Sequence, residues 1–366
     1  MTDPSRGPDR IRFPAAFDMR IAIFGSSSTT TKVGDGIVRR AELEQLCLDL
    51  GAALAAGRHA ILVESDRERT ADRLVVQGLL NAQHPLTPEI RVYHRPGRGE
   101  PPFAAQARGA SVAFRHIPLR GSLLSPSHFR MLREADVAIV VGGGGHAYPA
   151  GLAAFLMGVR LIPVATFGGA GRLLWQELSD HFDRPLGKLP RRSRWDRLAG
   201  EPQDVVDAIR EELESLPRVM IVHGRSDDRV KVEEILVSCG VRDPIVLQRR
   251  LHHGTTIPEK FESEASQADA AVVLFTPDDE AEAMKDSFGQ PIPADNRQKR
   301  ARARQNVSLE YGWFWGRLGR DRLLMMVTGN LELPTDLSGL LFERYEDSPD
   351  ERRAEIVAFI DSIRYR

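Results

Sequence analysis

Residues 136–175 read DVAIVVGGGGHAYPAGLAAFLMGVRLIPVATFGGAGRLLW. The stretch parses as an apolar strand, a run of four glycines, a helix, a second apolar strand and a second glycine loop. Strands alternating with helices call for a parallel sheet covered on both faces. The same alternation starts earlier, where IAIFGSSS (residues 21–28) is a β-type run ending in small residues. A helix follows, with Ile37, Ala41, Leu46, Leu50 and Leu54 near helical spacing. Gly57 ends it, AILV (60–63) opens a second strand, and residues 67–80 read as another helix. Residues 87–120 are rich in Pro, Gly and Arg and read as an irregular excursion with one short strand near 90–93.

The alternation restarts in the second half. VMIVHG (219–224), PIVLQ (244–248), AAVVLFTP (270–277) and RLLMMV (322–327) read as strands, with helices between them and a last helix over 349–363. A polar excursion separates the third strand from a helix around Glu310. The fold class is therefore α/β, with two doubly wound parallel-sheet domains. Residues 1–18 read as a flexible N-terminal segment, 19–183 as the first domain, 184–217 as a linker and connecting helix, and 218–366 as the second domain.

Composition excludes more than it specifies. The 366 residues are 42% hydrophobic and 28% charged, the balance of a soluble globular protein. Net charge is −1, which makes no case for nucleic acid or membrane as a partner. The part up to Pro217 holds 28 basic and 25 acidic residues and the remainder 22 and 26, too even a division to specify one. Only six of the 50 basic residues are lysine, a bias that Arg-based phosphate recognition or a GC-rich genome would each produce. Cys47 and Cys239 are the only cysteines, and no disulfide framework or zinc motif can be built from them. With no apolar run of membrane-spanning length, the expected location is cytoplasmic. No metal and no bound cofactor are expected.

In an open parallel sheet, ligands bind beyond the carboxyl ends of the strands. Three loops there have suitable chemistry: Gly25, Ser26 and Ser27; the run Gly142, Gly143, Gly144 and Gly145; and Phe167, Gly168 and Gly169. Glycines let a ligand approach the backbone, and the N–H groups opening the next helix favour an anion such as a phosphate. Tight strand-to-helix turns also need glycine for steric reasons alone. His146 follows the glycines and either contacts the ligand, caps a helix or faces water. Glu64 and Asp66, past the second strand, either accept ribose hydroxyls or are solvated loop residues.

These loops carry a resemblance. IAIFGSSS, ADVAIVVGGGG from Ala135 and IPVATFGGAGRLLW from Ile162 resemble the SLOG superfamily over residues 20–182. That Rossmann-like group includes the cytokinin-activating LOG enzymes and nucleotide-sensing domains of antiviral proteins and TRPM-type channels. Its enzymatic members carry PGGxGTxxE, whose Glu serves hydrolysis of a nucleotide glycosidic bond. Here GGGGHAYPAG has no Glu on the following turn. The resemblance thus implies sensing of a nucleotide-derived signal rather than its cleavage.

The helix around Glu310 raises a second question, because RARQNVSLEYGWFWGRLGR (302–320) places one carboxylate among aromatic, aliphatic and basic residues. On a helix, Asn306, Val307, Trp313 and Phe314 share its face. Arg302 and Arg304 stand near the helix start, where a cation opposes the dipole unless an anion comes close. A surface Glu paired with Arg317 or another Arg is the ordinary alternative, and core packing the ordinary role for Trp313 or Phe314.

The wider stretch is similar to a TIR domain. VMIVHGRSDDRVKVEEIL, HHGTTIPEKFESEASQADAAVVLFTPDD and ARQNVSLEYGWFWGRLGRDRLLMMV, in that order, resemble prokaryotic TIR-like nucleotide-binding proteins of antiphage systems over residues 218–347. The resemblance implies a flavodoxin-like fold and NAD⁺ glycohydrolase activity, with Glu310 as the catalytic residue. It implies NAD⁺ contacts from His223, Gly224, Arg225 and Ser226, from the loop at residues 252–257, and from Thr276, Arg304, Asn306 and Trp313. Ser308, Leu309 and Tyr311 depart from the more aliphatic residues of relatives. NAD⁺ is then substrate rather than cofactor, a nucleotide-derived signal is a ligand, and self-association through TIR domains is expected. A non-catalytic TIR adaptor and a LOG-like phosphoribohydrolase remain the alternatives.

Overall fold

The computed structural model describes residues 19–28, 34–57, 59–82, 88–95, 100–119, 127–180, 182, 188–215, 217–247, 256–285, 288–337 and 342–364. The segment expected to be flexible, residues 1–18, lies outside them, as do residues 252–255 of the loop expected to touch NAD⁺.

The first domain contains β1 (Arg20–Ser26), α1 (Arg40–Leu54), β2 (Ala60–Val63), α2 (Ala71–Asn81), β3 (Glu89–His94), α3 (Ala104–Ala107), β4 (Ala113–Pro118), α4 (Ser127–Leu132), β5 (Val137–Gly142), α5 (Ala147–Leu156), β6 (Arg160–Val164) and α6 (Gly169–Ser179). Its six strands are all parallel, in the order β4-β3-β2-β1-β5-β6. The order reverses between β1 and β5, which opens a crevice at the carboxyl ends of those two strands. Gly25 pairs with Val141 and Ser26 with Gly142, so two of the three glycine loops leave the sheet side by side. β2, β5 and β6 are buried along their whole length, as strands of a sheet covered on both faces must be.

The excursion over 87–120 holds two strands instead of one. AFRHIP alternates between exposed and half-buried residues at the sheet edge, so β4 lacks the apolar run that marks its neighbours. After α6 come α7 (Arg192–Trp195) and α8 (Pro202–Glu214). Trp195, Leu198, Val205, Ile209 and Leu213 join the core of the first domain, so the connecting segment packs as part of it.

The second domain contains β7 (Val219–Val222), α9 (Asp228–Ser238), α10 (Ile257–Ser266), β8 (Ala270–Phe275), β9 (Asp279–Glu282), β10 (Lys299–Arg302), α11 (Gln305–Leu318), β11 (Leu323–Thr328), β12 (Glu343–Tyr345) and α12 (Arg353–Arg364). Its sheet runs β12-β11-β8-β7, all parallel. PIVLQ forms only a parallel bridge, Ile245 to Met220, on the outer side of β7. With that bridge the spatial order is 2-1-3-4-5, the flavodoxin-like arrangement, and the crevice lies between the ends of β7 and β8. Side chains alternate as a strand requires. Val219 and Ile221 face α9 and α12, whereas Met220 and Val222 face Phe261 of α10 and Val307, Tyr311 and Phe314 of α11. The polar excursion after β8 forms an antiparallel hairpin, β9 with β10. Among the described residues no helix is long and apolar enough to cross a membrane.

Candidate functional site

The β7 end delivers His223, Gly224, Arg225 and Ser226 into the crevice of the second domain. The Ser226 hydroxyl accepts the backbone N–H of Asp228 at 3.1 Å in a tight turn just before α9. Across the crevice, the loop after β8 carries Thr276 and Asp278. Asp278 accepts the backbone N–H of Arg225 at 3.0 Å and the hydroxyl of Thr276 at 2.9 Å. The Arg225 guanidinium reaches back to the Asp278 carbonyl at 3.1 Å and to Asp279 at 2.8 Å. A Cβ on Gly224 would overlap the Asp278 carboxylate, so glycine is what lets the two loops close together. Asp278 was not singled out in the sequence, where AAVVLFTP reads as a strand and the residues after it as a polar excursion.

Glu310 lies in the second turn of α11. The helix packs across β7, β8 and β11 through Val307, Tyr311 and Phe314, which leaves Glu310 half-buried at its flank. Among the described residues its carboxylate has neither an ion pair nor a hydrogen-bond donor. Burial pushes its pKa up to about 7, against the opposing pull of Arg304. The alternative pairing with Arg317 is not made, for that guanidinium stands over the Trp313 ring at 5.3 Å. Arg302, the other cation expected to await an anion, pairs with Glu332 at 2.5 Å. Arg304 therefore is the cation beside Glu310. Asn306 is exposed one turn earlier, and Phe314 is fully buried. Trp313 packs edge-on against Phe261 at 5.3 Å, so much of its ring belongs to the core.

In the first domain the three loops divide by what their glycines are for. At Gly168 and Gly169 a Cβ would strike the carbonyls of Gly36 and Gly143. The N–H groups there are also spent, Gly169 on Asp35 at 2.9 Å and Ala170 on Gly143 at 3.0 Å. Phe167 is fully buried and its carbonyl accepts the Val38 N–H. That loop is closed by internal packing. Gly145 differs, because nothing lies within 4 Å of where its Cβ would stand and its backbone does not demand glycine. It adjoins the start of α5, whose N-cap, His146, is exposed and makes no side-chain capping bond. Ser27 is buried and donates to Glu44 at 2.6 Å, and Ser26 accepts the Ser28 N–H at 2.9 Å. On the next strand end, buried Asp72 accepts the N–H groups of Glu64 at 2.7 Å and Ser65 at 3.1 Å. Burial raises the Asp72 carboxyl to about 6, with those bonds opposing. Asp66 holds the Phe103 N–H at 2.9 Å instead of facing open solvent.

A flavodoxin-like sheet with a clamped switch-point crevice and a lone half-buried acid on the helix beyond it defines a TIR domain of effector type. Residues 218–347 match the family model described as CAP12/Pycsar effector protein, TIR domain. Through that domain the chain belongs to this family. It is 35% identical over 130 residues to the uncharacterized protein YuaY of Escherichia coli K12, covering 36% of this chain and 40% of that one. Protein tirC of Dictyostelium discoideum is 32% identical over 146 residues, 38% of this chain and 69% of its own. The CD-NTase-associated protein 12 of a Lachnospiraceae bacterium is 32% identical over 88 residues, 24% of each chain. The chain thus spans less than half of the first of these relatives. A solved structure, the molybdenum cofactor carrier protein of Chlamydomonas reinhardtii, aligns with 54% of this chain and 98% of its own at 13% identity, with a TM-score of 0.32, too slight a likeness to bear on function.

Proposed function

We propose that the chain is an antiviral-defence effector that cleaves NAD⁺ to nicotinamide and an ADP-ribose product when a nucleotide-derived signal at the β1/β5 crevice promotes self-association. The observation that carries this reading is Glu310, a carboxylate with no partner among the described residues, in a half-buried position where burial is costly. A half-buried carboxyl whose pKa is shifted by burial is a candidate for chemistry.

One carboxylate suffices for this reaction. In NAD⁺ the nicotinamide nitrogen is already cationic, so the ribose C1–N bond breaks with its electron pair moving to that nitrogen and a neutral molecule departing. Ordinary glycosidases need a second acid because their leaving group is poor. What remains is to stabilise the oxocarbenium-like ribose, which an ionised Glu310 does electrostatically. Water then adds to C1 and releases its proton. A carboxyl poised near 7 is ionised readily once a pyridinium arrives next to it. Arg304 sits beside the acid, where it supports ionisation and matches a diphosphate. The Asp278 clamp sets the positions of the loops that would hold the rest of the dinucleotide. Nicotinamide release by protein clustered through a fused oligomerising tag, compared with Glu310→Gln, is the test.

A further inference from the structure

At the amino ends of both sheets, away from either crevice, a cluster of charges joins the two domains. Arg160 opens β6, Asp269 precedes β8, Arg218 precedes β7, and Glu212 lies near the end of α8. The side chains of Arg160 and Glu212 are each 1% exposed and that of Arg218 4%. Glu212 takes Arg218 at 2.6 Å, Arg194 at 2.9 Å and Arg160 at 3.4 Å. Asp269 takes Lys188 at 2.5 Å, Arg160 at 3.4 Å and the Arg218 backbone N–H at 2.9 Å. Arg160 also donates to the carbonyls of Leu189 at 2.7 Å and Gln267 at 3.2 Å, while the Nε groups of Arg160, Arg194 and Arg218 are buried with no acceptor among the described residues. Burial alone would raise the carboxyls of Glu212 and Asp269, yet the cations around them hold both below the usual range. Four cations therefore enclose two carboxylates, and each carboxylate is shared between strands or helices of different origin.

Domains joined by a polar interface ordinarily move relative to one another. This interface resists small relative motions, because a shift too slight to admit water would leave Arg218 or Asp269 buried away from its partners, and that is strongly unfavourable. We propose that the Arg160–Glu212–Arg218–Asp269 cluster locks the two sheets of one chain into a single rigid body. On the functional reading above, an event at the first crevice then reaches Glu310 through the way whole chains associate, and not through a hinge within the chain. The rigidity itself does not depend on NAD⁺ chemistry, so each can fail without the other.

The test places spin labels on the full chain at Gln77→Cys and Ala354→Cys, both exposed, with buried Cys47 and Cys239 spared labelling. Pulsed dipolar spectroscopy should give one narrow distance, unchanged between about 0.1 and 1 M salt, since buried pairs escape screening. Calorimetry should show a single unfolding transition. Glu212→Gln should broaden the distance at least two-fold, and the milder Asp269→Asn, which keeps size, should split the transition in two. A broad or two-component distance in the unaltered seam would overturn the proposal. So would folded Asp269→Asn protein with the distance and single transition of the parent.

Discussion

Asp278 accepts the backbone N–H of Arg225 at 3.0 Å, fixing the loop after β7 to the loop after β8 at the crevice of the second domain. The contact leaves no room for a side chain on Gly224. Gly224→Ala should displace the Asp278 carboxylate and spread the loops while the sheet beneath stays intact. A misplacement on the order of 1 Å costs roughly 10²-fold in rate. Nicotinamide release by Gly224→Ala should fall by about that factor, with an unchanged circular dichroism spectrum. A rate equal to the parent's would show that the clamp positions nothing.

Glu310 carries a stability cost whose sign follows from its burial. Its folded-state pKa of about 7 lies above the ordinary carboxyl value, so between pH 4.5 and 7 the folded protein binds more protons than the unfolded chain. Stability therefore falls as pH rises through this window and stays lowered above it. Glu310→Gln removes the charge and should raise the melting temperature at pH 8 by about 2–3 °C, for a difference on the order of 2 kcal/mol in a chain that unfolds as one unit. At pH 5 the two proteins should melt nearly together. Equal melting temperatures at pH 8 would place Glu310 in water rather than in a half-buried site.

At Gly145, in the first crevice, packing does not call for glycine. Gly145→Val should fold like the parent, because the added atoms meet open space. If a ligand approaches the backbone there, the variant should lose signal-dependent cleavage at least tenfold. Activity should return when chains are clustered by a fused tag, since the second domain is untouched. An undiminished response to infected-cell nucleotide extract would move the sensing site elsewhere.

The fold was legible wherever burial wrote itself into composition. β2, β5, β7 and β8 are apolar on both faces and stand out as runs. β4 did not stand out, because an edge strand with exposed Arg115 carries a polar sequence. The β9/β10 hairpin was hidden for the same reason, its charges pairing across strands, as Lys299 does with Glu280 at 3.2 Å. The half-burial of Glu310 was legible from the apolar neighbours it shares a helix face with. Asp278 was not, since its role arises only when residue 225 is brought to it across 53 positions. The charge cluster is further out of reach, with Arg160 and Asp269 separated by 109 residues.

The central claim is that Glu310 performs the cleavage of NAD⁺. Its most direct test is nicotinamide release from NAD⁺ at pH 7.5 by full-length protein clustered through a fused oligomerising tag, parent against Glu310→Gln. The substitution keeps size and removes charge, so the loss should be the electrostatic stabilisation of the ribose cation, on the order of 10²–10³ in rate or more. A parent that releases nicotinamide and a variant that does not is the expected result. A clustered parent with no release, or a folded variant within a few-fold of the parent, would contradict the account.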